Sequence, residues 1–134
     1  MTLERGVLLG KRYRILEVLG HGEMGLVYRA IDENLGIGVA VKENLFTTNE
    51  HIRQFCFEAS ILAKLRHPNL PWVTDHFFTS DQKQYLVMDY IEGESLHQRM
   101  TRNGNIPEKE VIRIGMAVCD VLTYLKHLTA GLSR

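Results

Sequence analysis

The sequence predicts an α+β domain of five strands, with one helix between the third and fourth strands and two helices after the fifth. Three observations carry this. Apolar runs rich in β-branched and aromatic residues, without helical spacing, fill Tyr13–Leu19, Leu26–Ile31 and Ile37–Val41. A stretch beginning near Thr47 then places Ile52, Phe55, Ala59, Leu62 and Ala63 on one face at i, i+3, i+4 spacing. Finally, the residues from Pro107 to Leu128 are apolar on more than one face of a helix.

Each element follows from local chemistry. Residues 1–12 read as a short polar lead-in, and strands over 13–19 and 26–32 form a hairpin. Asp32-Glu33-Asn34-Leu35-Gly36 carries the Asp, Asn and Gly of a turn into a third strand over 37–43, apolar up to Lys42. Thr47, Thr48, Asn49 and Glu50 supply N-cap candidates for a helix running to about Arg66, which His67-Pro68-Asn69-Leu70-Pro71 stops. Strands over 72–79 and 84–90 flank the polar turn Ser80–Lys83. A short helix from Ser95 to Arg102 and a loop at Asn103-Gly104-Asn105 come next. Pro107 suits the first position of the last helix, with Glu108 and Glu110 in its first turn.

Composition narrows the function classes. The chain has 134 residues, 45% of them hydrophobic and 24% charged, which describes an ordinary soluble globular domain or a piece of one. Lys+Arg and Asp+Glu balance at 16 each, so no long-range field favours nucleic acid or an anionic membrane. No apolar stretch approaches the roughly 18 residues of a membrane span, and the first residues lack the apolar segment of a signal peptide. Cys56 and Cys119 sit far apart in predicted helices, which suits two buried thiols in a reducing cytoplasm.

Gly20, Gly22 and Gly25 stand at G-x-G-x-x-G spacing between the first two strands. They join strand to strand, so no helix N-terminus follows to receive a dinucleotide pyrophosphate. No Gly-Lys-Ser/Thr ending is present, which excludes a Walker-type loop. A glycine hairpin folded over a triphosphate remains, because absent side chains let backbone N–H groups approach phosphate oxygens. A purely structural hairpin turn satisfies the same spacing.

Further motifs stand in order behind it: Val39-Ala40-Val41-Lys42, Phe57-Glu58-Ala59, His67-Pro68-Asn69-Leu70 and Leu86-Val87-Met88-Asp89-Tyr90-Ile91-Glu92-Gly93. Together they resemble the start of a bacterial, PASTA-kinase-like serine/threonine protein kinase domain, over about residues 11–128. The resemblance implies a kinase N-lobe over 13–91, a five-stranded antiparallel sheet with one αC-type helix. Residues 92–134 then hold the first helices of an incomplete C-lobe. It implies ATP as the cofactor, cradled by Gly20, Gly22 and Gly25, with Leu19 at the loop entry and Val27 and Ala40 packed on the adenine ring. Lys42 would bridge the α- and β-phosphates and pair with Glu58; the plain alternatives are a lysine snorkelling at a strand end and a solvated helix carboxylate. Met88 would be the gatekeeper, or simple core. The Asp89 carbonyl and Ile91 amide would hydrogen-bond the adenine edge. Ser95 stands where a ribose contact occurs in kinases, though the N-cap of the following helix is the role its position favours. Leu62 and Val73 correspond to members of the apolar spine that links the helix to the lower lobe. Glu23 places a carboxylate near a polyanion, and Met24 takes the apolar tip position.

No H-R-D-x-x-x-x-N and no D-F-G occurs in the sequence, so the catalytic Asp and the Mg²⁺ ligands of the family have no counterpart here. The expectation is an ATP-binding portion of a serine/threonine kinase that does not transfer phosphate by itself. The other reading is a non-catalytic, pseudokinase-like scaffold. A protein substrate belongs only to a longer form, nucleic acid is not a partner, and the location is cytoplasmic. The many-faced helix 107–128 predicts a homodimer.

Overall fold

Strands β2 (Tyr13–His21) and β3 (Gly25–Asp32) pair antiparallel across the glycine stretch, Tyr13 opposite Asp32 and His21 opposite Leu26, as the apolar runs predict. The computed structural model describes residues 2–21, 25–46 and 48–132; Gly22, Glu23, Met24 and Thr47 lie outside the described residues. Strand β4 (Ile37–Asn44) adds to β3, β6 (Gln84–Asp89) to β4, and β5 (Val73–Phe78) to β6, every pair antiparallel. The glycine-flanked β2 contains two register shifts, between Ile15 and Glu17 and between Val18 and Gly20, which re-aim the strand as it nears the loop.

Among the described residues the sheet has six strands rather than five, in the order β1-β2-β3-β4-β6-β5. The addition is β1 (Leu8–Leu9), inside the segment read as a polar lead-in, pairing Leu8 with Arg14 and Leu9 with Tyr13. Two residues are too few to show an alternation, so only the reversal at Gly10 (φ 58°) and Lys11 (φ 60°) makes them a strand. Leu9 is buried in the core, and Leu3 packs against it.

The core lies on the sheet face that carries Tyr13, Ile15, Leu26, Tyr28, Ala30, Val39, Val41, Tyr85 and Val87. Tyr13 and Phe77, from strands near opposite ends of the order, stack at 5.7 Å. The Tyr13 hydroxyl donates to Asp75 at 2.6 Å, so the sheet curls until its two margins touch.

The other face is covered by α1 (Asn49–Leu62), whose Phe55 and Ala59 bury against Val73 and Leu86, with Met88 beside them. Thr48 is the N-cap, its hydroxyl accepting from the His51 amide at 3.3 Å. The predicted stripe holds only at its centre: Ile52 is half-buried and Leu62 and Ala63 are exposed. The helix stops four residues before Arg66, because Lys64 and Leu65 donate to the carbonyls three residues back and tighten the last turn.

These strands and α1 form one compact unit, residues 1–65 and 71–91. Residues 66–70 and 92–134 form a second, with α2 (Leu96–Asn103) and α3 (Glu108–Leu132). Within it, Ser95 and Gln98 build a capping box: the Ser95 hydroxyl accepts from the Gln98 amide at 3.1 Å, and Gln98 Oε1 accepts from the Ser95 amide at 2.8 Å. Tyr124 of α3 accepts from the Arg66 amide at 2.8 Å, and His67 lies 3.2 Å from Asp120. The helix α3 is partly covered along Ile114, Ala117, Val121, Leu125 and Leu128, while Val111, Ile112, Met116, Val118 and Leu122 are each more than half exposed. Cys119 is exposed as well, so only Cys56, which is half-buried, approaches the expected buried thiol.

Candidate nucleotide site

Directly opposite residues in an antiparallel pair share a sheet face. Register therefore assembles the candidate site row by row. One row runs Gly20, Val27, Lys42, Leu86 and His76 across β2, β3, β4, β6 and β5. The next runs Arg29, Ala40, Met88 and Val73. Val27, Ala40, Lys42 and Met88 thus meet on the face that α1 partly covers. Ala40 is buried, and its small side chain leaves room there; Val27, Lys42 and Met88 are half-buried. Leu19 and Ile91 are exposed at the margins of the same unit.

The two described glycines of the loop differ. A Cβ at Gly20 meets nothing within 4 Å, so that position is open. A Cβ at Gly25 would overlap the Glu43 carbonyl oxygen and sit 3.3 Å from its carbon and 3.8 Å from Lys42 Cε. Gly25 is thus required by the close approach of β3 to β4. Gly22 lies outside the described residues.

Lys42 and Glu58 are not brought together as an ion pair among the described residues. Glu58 is exposed on α1, where its carboxylate accepts a long bond of 3.4 Å from Gln54. Lys42 is half-buried and has no carboxylate partner among the described residues, a state that favours an anionic ligand. Asp89 has a role that its backbone position hid: its carboxylate accepts from the Trp72 amide at 2.8 Å, and its own amide donates to the Trp72 carbonyl at 3.0 Å. This clasp anchors the segment that carries the Asp89 carbonyl and Ile91 amide. Ser95 serves as the N-cap of α2.

Sequence reasoning missed two features on these strands. Arg29, in the Ala40 row, stacks its guanidinium over Tyr90 at 4.6 Å. Glu43, next to Lys42 and on the opposite face, is a buried carboxylate. Tyr85 donates to it at 2.9 Å and Tyr28 at 3.2 Å, and the Lys83 ammonium lies 3.7 Å away. Burial first, and the bond to Glu43 second, push the Tyr85 phenol well above its ordinary range. The signal was legible as period two from Val39 through Val41 to Glu43, which places 43 on the core face.

Comparison with known proteins finds relatives over most of the chain. The model of the protein kinase domain matches residues 13–130. A probable serine/threonine-protein kinase of Clostridium perfringens is 39% identical over 120 residues, covering 87% of this chain and 17% of that protein. The serine/threonine-protein kinase PrkC of Bacillus subtilis is 40% identical over 115 residues, covering 81% of this chain and 18% of its own length. The chain thus spans less than a fifth of these relatives. The crystal structure of the Mycobacterium tuberculosis PknI kinase domain superposes with a TM-score of 0.74 at 30% identity, covering 92% of this chain and 51% of that one. The Val39–Lys42 strand, the helix over its face and the sequence match over most of the length lead to one conclusion: the chain belongs to the protein kinase domain family.

Proposed function

We propose that the chain is the ATP-binding portion of a serine/threonine protein kinase, which in its longer form transfers the γ-phosphoryl group to protein hydroxyls. The observation that carries this is half-buried Lys42, without a carboxylate partner among the described residues, in the row next to Ala40 and Met88. The residues present fit a nucleotide. Val27 and Ala40 take the adenine faces with Leu19 at the edge, and Met88 limits depth. The Asp89 carbonyl and Ile91 amide read the base edge. Gly20, Gly22 and Gly25 give backbone donors to phosphate, and Lys42 holds the α- and β-phosphates; Glu58, apart from it in this structure, is its partner on the family pattern alone. ATP supplies the transferable phosphoryl group when bound; this chain's own residues bind and orient it. Ser95 is a ribose contact on the family pattern, sharing its hydroxyl with the cap of α2. Among the described residues no three His, Cys, Asp or Glu side chains converge on a metal. We assign residues 13–91 to the nucleotide-binding lobe and 92–134 to the start of the substrate lobe.

Among the described residues no helix is long and apolar enough to cross a membrane. A cytoplasmic location follows from the use of ATP. The exposed apolar residues of α3 favour a second reading beside the first, an interaction module that pairs two copies of the chain through that helix. Titration of the labelled chain with ADP, with and without Mg²⁺, tests the nucleotide reading. Amide shifts confined to Gly20–Val27, Ala40–Lys42 and Asp89–Ile91 are the expected result. Shifts that spare all three segments refute it and leave the scaffold.

A further inference from the structure

Gln84 opens β6 and is 1% exposed, with partners on three other elements. Its Oε1 accepts from Asn44 Nδ2 of β4 at 3.0 Å. Its Nε2 lies 3.3 Å from the Ile52 carbonyl oxygen and 2.9 Å from Cys56 Sγ, both on α1, and 3.0 Å from His76 Nε2 on β5. With Oε1 facing a donor, Nε2 has two hydrogens to share among these three groups; donation to His76 makes its Nε2 the acceptor and puts the ring proton on Nδ1.

The setting makes this amide matter. Of the fourteen residues of α1, Phe55 and Ala59 are the buried ones, so apolar packing of the helix is thin. Gln84 reaches both Ile52 and Cys56, one turn apart on the helix surface. Gln84 and Asn44 form the row beside Lys42 and Leu86, on the same sheet face.

We propose that Gln84 is a positioning residue: bonded at once to α1 and to neutral His76, it sets α1 against the strand face that carries Lys42. The consequence for nucleotide affinity rests on the ATP-binding reading above; the hold on α1 does not. Protonated His76 would turn an N–H toward the NH₂ group, two donors face to face, and the bond would be lost. Burial already holds the His76 imidazole below its ordinary range, with Asp75 on its own strand opposing. From β6 it meets Leu86 and Gln84, neither ionisable, from α1 the Phe55 ring, and on its own strand the Phe78 ring. Glu50, Arg53 and Glu58 of α1 are exposed, and His51 stacks on Phe46. Because the imidazole's value is depressed in the fold, the latch is present at neutral pH and is lost as pH falls through that value.

The test uses the whole chain and three variants: Gln84→Met, close in volume without the bonds; Gln84→Glu, which offers a carboxylate to an imidazolium; and His76→Phe, a ring without the acceptor. The readouts are His76 ring ¹⁵N shifts, hydrogen-exchange protection of α1 amides from neutral to mildly acid pH, and Mg–ADP affinity. In the parent chain the ring should show an unprotonated, hydrogen-bonded Nε2, and α1 protection should fall on acidification. Gln84→Met should lower α1 protection roughly tenfold, the loss of about one to two net hydrogen bonds, and weaken ADP several-fold. His76→Phe should remove the pH response, and Gln84→Glu should reverse it, a change that mere loss of packing cannot produce. Unchanged α1 protection in Gln84→Met, or an Nε2-protonated His76 at neutral pH, overturns the proposal. Should Gln84→Met fail to fold, the sign of the Gln84→Glu pH response decides. A parent chain that binds no ADP refutes the nucleotide reading instead, and the exchange arm still decides the role of Gln84.

Discussion

Replacing Gly25 and Gly20 by alanine, one at a time, separates structural from ligand-facing glycines within a single motif. At Gly25 the new methyl falls on the Glu43 carbonyl oxygen, a backbone atom that cannot rotate away. Strand β4 must move, and the Glu43 carboxylate is tied to Tyr28 and Tyr85 in the core. Overpacking of this kind costs about 1–3 kcal/mol, against roughly 0.4–1 kcal/mol gained by stiffening the unfolded chain. The net expectation is a loss of about 1–2 kcal/mol. At Gly20 nothing lies within 4 Å, so only the unfolded-state gain remains. The two variants should therefore differ by roughly 2 kcal/mol, a midpoint difference on the order of 6–10 °C. Urea and thermal unfolding followed by circular dichroism measure it. Gly20→Ala should in turn weaken ADP without loss of stability, because its open space is where phosphate would approach. Equal stability of the two variants would refute the claim that strand contact dictates Gly25.

Four further outcomes are expected. Lys42→Met should weaken ADP about tenfold or more, the size of a charge-assisted bond, while moving the unfolding midpoint little, since no ion pair among the described residues is lost; calorimetric titration beside a melting curve checks both. Tyr85→Phe removes the shorter of the two tyrosine bonds to buried Glu43 and should cost about 1–3 kcal/mol in urea unfolding. The Arg12 fork, donating to both Asp32 oxygens at 2.9 and 2.8 Å, holds that carboxyl below its ordinary range. The folded value is depressed, so this contribution is present above the unfolded value and is lost as pH falls through the folded one; Arg12→Gln should flatten the acid limb of a stability–pH curve. Light scattering at several concentrations should show a dimer that Leu122→Asp dissociates, because a carboxylate cannot enter a dry interface without a partner; a soluble monomer at every concentration rules that interface out.

Much of the site was legible because its residues sit on strands, where period two converts sequence position directly into a face. Once Ile37–Lys42 was read as a strand following a glycine hairpin, Ala40 and Lys42 had to share a face, and the register with Val27 and Met88 completes it. The helix was harder. Its spacing announced a face of five apolar residues, yet only Phe55 and Ala59 are buried, because the sheet beneath α1 offers just Val73, Leu86 and Met88. The length of that partner surface is set by strands elsewhere in the chain. The motif also implied a Lys42–Glu58 pair that the structure does not form, since an ion pair depends on where a helix docks rather than on what the helix contains.

The sequence by itself determined the order of elements from β2 onward, the turn chemistry and the candidate caps at Thr48 and Ser95. These are local properties: a strand period, a turn's demand for glycine, an amide's need for a cap. Only the tertiary structure decided that Leu8 and Leu9 form a sixth strand, that Glu43 is held by two tyrosines, and that one buried glutamine joins α1 to three strands. Each of these depends on groups dozens of positions apart being brought within hydrogen-bond reach, such as Asn44 and Gln84, forty residues apart. A buried polar group must find its partner wherever the fold supplies one, and no local pattern in the chain announces which group that will be.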